Sequence, residues 1–150
     1  MWQIKQLAAD DVGRVGAVLG LARLEQADGF YLIAWEADDP LGHAYLALTD
    51  PPELQDVAVR PEHRRRGVAT ALAAAAEDEA GARGFDRLTL TVSIDNEAAQ
   101  VLYRGLGYQD AGVPPRRVQG TVHIRTGPIE VDDTLLTWEK ALGPQVLASR

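Results

Sequence analysis

Cysteine is absent from this chain of 150 residues and 16.2 kDa. That excludes disulfides, thiolate metal ligation and a cysteine nucleophile. Histidine is scarce: His43, His63 and His123 stand far apart, with no His-x-x-x-His spacing, so no zinc or other metal site is expected. There is no Gly-x-Ser-x-Gly elbow for a covalent acyl-enzyme. No apolar run approaches the roughly 20 residues a membrane span needs. The opening residues, Met1-Trp2-Gln3-Ile4-Lys5, lack a signal-peptide pattern, so a cytoplasmic chain with no membrane partner is expected. Positive charge is also in short supply. The net charge is −7, which disfavours nucleic acid as a partner.

What is present is ordinary globular composition, with 46% hydrophobic and 25% charged residues. At this length a single domain, 1–150, is expected, without internal repeats or linkers. The charge is unevenly placed. Between Arg60 and Thr70 four arginines stand against one glutamate, a local +3 that leaves −10 on the remainder. A small basic island on an acidic chain suggests a local anion site.

The pattern predicts a strand over Trp2–Leu7 and a helix from Val12 to Ala22, broken or mobile at Gly13, Gly16 and Gly20. A hairpin follows, with strands Phe30–Glu36 and His43–Leu48 around an Asp38–Gly42 turn. Glu53–Val59 reads as a strand and Val68–Ala82 as a helix. Asp86–Val92 reads as a strand and Asn96–Arg104 as a short helix, capped by Asp95 or Asn96. Strands then begin at Tyr108, Val118–Arg125 and Thr134–Glu139, with Pro114–Arg117 as an interruption. The fold class is α/β: a mixed central sheet of about six to seven strands, helices on both faces, and a parallel crossover in the middle.

The richest chemistry lies where the Val57-Ala58-Val59 strand runs through Arg64-Arg65-Arg66-Gly67 into the helix at Val68-Ala69-Thr70. The first turn of a helix has backbone N–H groups without helical acceptors. Together with the helix dipole they can hold a phosphate or pyrophosphate. Gly67 lets backbone approach the anion, Ala69 is small, Thr70 adds a hydroxyl, and the three arginines supply charge from the rim. A Walker loop and the three-glycine dinucleotide fingerprint are both ruled out by spacing. A solvated arginine turn ahead of a helix is the plainer alternative.

Arg64-Arg65-Arg66-Gly67-Val68-Ala69 resembles the acyl-CoA signature Arg/Gln-x-x-Gly-x-Gly/Ala of the GNAT superfamily of acyl-CoA-dependent N-acetyltransferases. Asn96 through Tyr103, followed by Gly107-Tyr108, is similar to the family's second signature. The resemblance covers Trp2 to about Ala111. It implies acetyl-CoA as acyl donor, with pantetheine in a gap beside Val57, Ala58 and Val59, and the Val59 N–H polarising the thioester carbonyl. It implies Tyr103 as the acid that protonates the departing thiolate, near the cofactor. Asn96 then contacts the pantetheine arm, caps its helix, or both. Val57 and Val59 are equally core residues, and Tyr103 could simply pack on Leu102 and Leu106. For the base, Glu53 occupies the place of a glutamate in some members. It should share a face with Gln55 and Val57 unless a bulge intervenes, with Asp56 facing away; His43, His123, Asp132 and Asp133 are its rivals. The acceptor should lie between Leu21–Phe30, Tyr31, Tyr45 and Val113–Val131. The expected activity is N-acetylation of a small amine. The alternatives are acetylation of protein amino termini or lysines, and a non-catalytic acyl-CoA sensor. By family analogy a homodimer is expected, with Trp138 at its interface or in the core.

Overall fold

The computed structural model of the chain describes residues 2–21, 28–124 and 127–143. The strands are β1 (Gln3–Gln6), β2 (Gly29–Glu36), β3 (Asp39–Ala47), β4 (Glu53–Val59), β5 (Arg87–Ser93), β6 (Gln109–Asp110), β7 (Arg116–Ile124) and β8 (Gly127–Ala141). The helices are α1 (Val12–Leu19), α2 (Val68–Ala82) and α3 (Glu97–Gly105). The eight strands form one mixed sheet in the order β1-β2-β3-β4-β5-β8-β6, with β7 also on β8. Among the described residues, β4 and β5 run parallel and the other pairs are antiparallel. No helix among the described residues is long and apolar enough to cross a membrane.

The sequence Phe30-Tyr31-Leu32-Ile33-Ala34-Trp35 is apolar on both sides of the pleat, and β2 is accordingly buried on both faces. Phe30, Leu32 and Ala34 face one core with Leu41, Leu54, Leu72, Leu88 and Leu90. Tyr31, Ile33 and Trp35 face a second with Leu7, Val15, Leu21 and Tyr45. The α2 helix covers the first core through Val68, Leu72, Ala73, Ala76 and Ala80, an i, i+4 stripe in an alanine-rich helix. The α1 helix covers the second through Val15.

Three expectations need correction. The glycines Gly13 and Gly16 do not break α1, which runs eight residues until Gly20 enters the left-handed region at φ 70°. The hairpin turn falls at Ala37-Asp38, not Asp38–Gly42. Pro40 opposes Trp35 near the strand end, where a missing N–H is tolerated, and Gly42 lies inside β3 because a Cβ there would sit 2.6 Å from the Ala58 carbonyl oxygen. The last two strands are longer than predicted. Arg116 and Arg117 already pair with Leu135 and Thr134, so they belong to β7 rather than to an interruption. Trp138 is core, 5% exposed, with the Arg104 guanidinium 5.1 Å above its ring.

Candidate functional site

The start of α2 is open. Gly67 is its N-cap at φ 84°, a conformation costly for any residue with a Cβ, and no side chain caps the helix. The first helical bond runs from the Ala71 N–H to the Gly67 carbonyl at 3.0 Å. The N–H groups of Val68, Ala69 and Thr70 are the helix's orphan donors. They face a cleft lined by Val57, Ala58, Val59, Arg64, Arg65, Asn96 and Tyr103. A Cβ on Gly67 would meet no atom within 4 Å, so the glycine keeps an open approach. Arg66 is not among the groups lining this cleft. It reaches Glu36 at 2.8 Å and His63 Nδ1 at 2.9 Å, and lies 5.3 Å above the Trp2 ring. The hydrogen bond from Arg66 holds the Glu36 carboxyl below its ordinary range. Arg64 curls back so that its Nε donates to the Val59 carbonyl at 3.1 Å.

The gap beside β4 is present. The parallel β4–β5 ladder consists of the Glu53–Thr89 pair, reinforced by Thr89 N–H and Oγ1 donating to the Pro52 carbonyl. Beyond it the strands diverge into a cleft lined by Leu54, Gln55, Asp56, Val57, Leu90 to Ser93, Asn96, Ala99 and Tyr103. The Arg60 N–H donates to the Leu41 carbonyl at 2.8 Å. In an antiparallel ladder that makes Gly42–Val59 a non-hydrogen-bonded pair. The Val59 N–H therefore points away from β3, into the gap.

A bulge sits in the middle of β4, where two residues oppose Ala44 and the register slips between His43 and Tyr45. Its centre is Asp56 at φ 51°. The bulge corrects the predicted alternation. Val57 and Val59 pack with the helical core, while Asp56 joins Glu53 and Gln55 on the opposite face, where the Tyr31 hydroxyl donates to its Oδ2 at 2.8 Å. A period-two reading of the sequence carries no sign of the bulge, which shows only in the folded backbone as the positive φ at Asp56.

Tyr103 projects from α3 into the cleft that Val57 and Asn96 also line. Burial pushes its hydroxyl up to about 12. Its ring meets Tyr108 edge-on at 5.8 Å. Behind it the Tyr108 hydroxyl donates to Glu77 at 3.0 Å, and Lys140 Nζ reaches the same carboxylate at 2.9 Å. Sequence reasoning missed this support because its members come from α2, the α3–β6 turn and β8. Asn96 caps α3, its Oδ1 accepting from the Ala99 N–H at 3.0 Å.

Glu53 accepts from Gln55 at 2.6 Å and lines a separate depression with Thr91, Val113–Arg117 and Thr137. His43 is buried beside Asp56. Asp132 is paired with Arg117 and Gln119, and Asp133 accepts from Ser93 at 2.8 Å. Tyr31 and Tyr45 stack edge-on at 5.0 Å in the second core. The His123 side chain, Arg125 and residues 22–27 of the expected acceptor region lie outside the described residues.

Residues 5–108 match the family model "Acetyltransferase (GNAT) family". The chain is 38% identical over 84 residues to the mycothiol acetyltransferase of Clavibacter michiganensis subsp. michiganensis, covering 55% of this chain but 28% of that protein. It is 33% identical over 101 residues to the streptothricin acetyltransferase of Streptomyces lavendulae, 65% of this chain and 53% of that one. With the [ribosomal protein bS18]-alanine N-acetyltransferase of Salmonella typhimurium identity is 32% over 116 residues, 75% and 74% of the two chains. The chain thus spans about a quarter to a half of the first two relatives and three quarters of the third. Its fold is shared with the ribosomal-protein-S18-alanine N-acetyltransferase of Escherichia coli, TM-score 0.73 at 19% identity over 95% of both chains. It is also shared with a putative streptothricin acetyltransferase of Bacillus anthracis solved with acetyl coenzyme A, TM-score 0.70 at 14% identity over 94% and 99%.

Proposed function

The chain belongs to the acetyltransferase (GNAT) family, and from that premise we propose that it transfers an acetyl group from acetyl-CoA to a primary amine by direct attack in a ternary complex. The observation that carries the reading is the divergence of β4 from β5, which leaves the Val59 N–H aimed into a cleft shared by Tyr103 and the open first turn of α2. In this reading Val57, Ala58 and Val59 offer main chain to the pantetheine arm, and Asn96 flanks it. The amides of Val68, Ala69 and Thr70 hold the pyrophosphate, Gly67 leaves it room, and Arg64 and Arg65 add charge. Arg66 stabilises the loop through Glu36 rather than by direct contact.

The amine nitrogen attacks the thioester carbon, and the Val59 N–H stabilises the negative charge that develops on the carbonyl oxygen. The carbon–sulfur bond then breaks, and Tyr103 protonates the sulfur. A phenol raised to about 12 stays protonated at neutral pH. The same desolvation raises the departing thiol, so acid and leaving group shift in the same direction. Glu53 lines a depression separate from this cleft, and in this reading it draws a proton through water.

The test is thiol release from acetyl-CoA with two acceptors that the relatives' names supply: streptothricin for a small amine, and a peptide beginning with alanine for a protein amino terminus. Turnover of streptothricin alone supports the small-molecule reading. Turnover of the peptide alone moves the assignment to protein amino termini, which the coverage shared with the alanine acetyltransferase favours. Cofactor binding without turnover identifies a sensor. Light scattering tests the homodimer.

A further inference from the structure

Among the described residues, the buried ring nitrogen Nδ1 of His43 has no hydrogen-bond partner. The residue is only 5% exposed. A buried polar atom left this way is costly, and a catalytic role is one of the few physical reasons for keeping it. Its neighbour is Asp56, whose Oδ2 lies 3.7 Å from Nδ1. That is too long for a hydrogen bond and close enough to become one. Two features hold the carboxylate there: the left-handed bulge at Asp56 and the 2.8 Å bond from the Tyr31 hydroxyl to the same oxygen. The Tyr31 ring packs edge-on to His43 at 5.9 Å.

His43 also lines a depression on the face opposite the cofactor cleft, between Ala17–Gly20 at the end of α1 and Ala58, Val59 and Arg64. Ala58, Val59 and Arg64 line the cofactor cleft as well. The two hollows meet across β4 at Ala58, the partner of His43 in the ladder, which is small and exposed. A nucleophile seated beside His43 therefore approaches the Val59 amide from the side away from the coenzyme.

We propose that this depression seats the acceptor amine and that His43, oriented by Asp56, takes its proton. The proposal rests on the acyl-transfer reading above. With the imidazole proton on Nδ1, toward Asp56, Nε2 is the acceptor. An ammonium group gives one proton to Nε2, and its nitrogen lone pair forms the bond to the thioester carbon. Collapse of the adduct breaks the carbon–sulfur bond, and the second nitrogen-bound proton replaces the one Tyr103 delivers to sulfur. The imidazolium returns its proton to water in the depression, so one amide, one thiol and one free proton result.

Burial pushes the imidazole below its ordinary value, and Asp56 opposes the shift. The ring is thus neutral, and able to accept, at neutral pH. Among the described residues, the other titratable groups around it are few. Tyr31 and Tyr45 lie on the sheet side, Ala17–Gly20 of α1 bring none, and Arg60, Glu62 and Arg64 form the rim. Arg60 is held by Asp39 and Glu62, and Arg64 by the Val59 carbonyl.

Nitrogen-15 NMR of the full chain labelled at histidine, with coenzyme A added, reads the tautomer and titration of His43 directly. The expected result is a neutral Nδ1–H form that titrates below its usual midpoint and shifts lower still in Asp56→Asn, because that variant removes the opposing charge. An Nε2–H tautomer, or a midpoint indifferent to Asp56→Asn, overturns the proposal. With streptothricin or the alanine-initiated peptide, His43→Gln should lower kcat/KM about 10²- to 10³-fold and abolish the acidic limb of its pH profile. Its KM for acetyl-CoA should stay within about twofold. His43→Asn serves if the glutamine variant fails to fold. Retention of the acidic limb in these variants, or its loss in Glu53→Gln instead, moves the base elsewhere. Absence of wild-type turnover with both acceptors strikes the acyl-transfer reading itself, whatever the tautomer.

Discussion

Substituting alanine for Gly67 separates the two roles that glycine plays at the head of α2. The residue sits at φ 84°, where an L side chain costs roughly 1–2 kcal/mol. Its Cβ would meet no atom within 4 Å, so no packing penalty adds to the strain. In a domain of this size each kcal/mol lowers Tm by about 2–4 °C, so the free protein should melt roughly 2–8 °C lower. Binding should suffer more. Gly67 lines the same cleft as Val68, Ala69 and Thr70, and displacing a diphosphate from one of their amide donors forfeits a charged hydrogen bond of about 1.5–3 kcal/mol. Coenzyme A affinity should therefore fall about 10- to 150-fold. Calorimetric titration with coenzyme A and a thermal melt of the unliganded protein read the two effects independently. Coenzyme A binding within twofold of wild type, beside the expected loss in Tm, would refute the cradle. A much larger loss in Tm would show a packing role that the open space around Gly67 contradicts.

Other outcomes follow from the same geometry. Tyr103→Phe keeps the ring against Tyr108, and steady-state assays should show kcat reduced about 10²- to 10⁴-fold with coenzyme A affinity preserved. Because the wild-type phenol sits at about 12, its kcat/KM should show no alkaline limb from this group between pH 7 and pH 10. His43 titrates lower in the folded chain than in the unfolded one, whose value is near 6.5. Its contribution to stability is thus fully present above pH 6.5 and is lost as pH falls toward the folded value, at no more than about 1.4 kcal/mol per pH unit. Urea unfolding across pH 5 to 7.5 should accordingly be steeper for wild type than for His43→Gln. Leu72→Ala, at a fully buried α2 position, should cost about 2–5 kcal/mol in the same measurement.

Legibility in the sequence tracked the range of the forces involved. The α2 boundaries follow from local propensity and were readable, and capping chemistry narrowed the start of α3 to Asp95 or Asn96, of which the fold uses Asn96. Glu53–Val59 was readable as a strand from its length and bounding prolines. Which way Asp56 points was not, because a bulge depends on how β3 and β4 fit together, and one extra residue reverses the face. The turn at Ala37-Asp38 was hidden by stronger turn residues just after it. Pairing with Trp35 and the close approach of β4 at Gly42 drew those residues into the strand instead. The same long-range logic turns Arg66 away from the cleft at the head of α2, since Glu36 and Trp2 become its neighbours only after β1 and β2 assemble.

Order along the chain and order across the sheet disagree most at β8. The closing residues of the described fold slot between β5 and β6 and also carry β7. Until they emerge during synthesis, one flank of β5 stands open, with apolar Leu88, Leu90 and Val92 already made. The nascent protein therefore exposes a sticky half-sheet from the completion of β5 at Ser93 until β8 is made through Ala141. Substitutions that slow docking of Leu135–Ala141 should lower the yield of soluble product more than they lower the stability of molecules that finish folding.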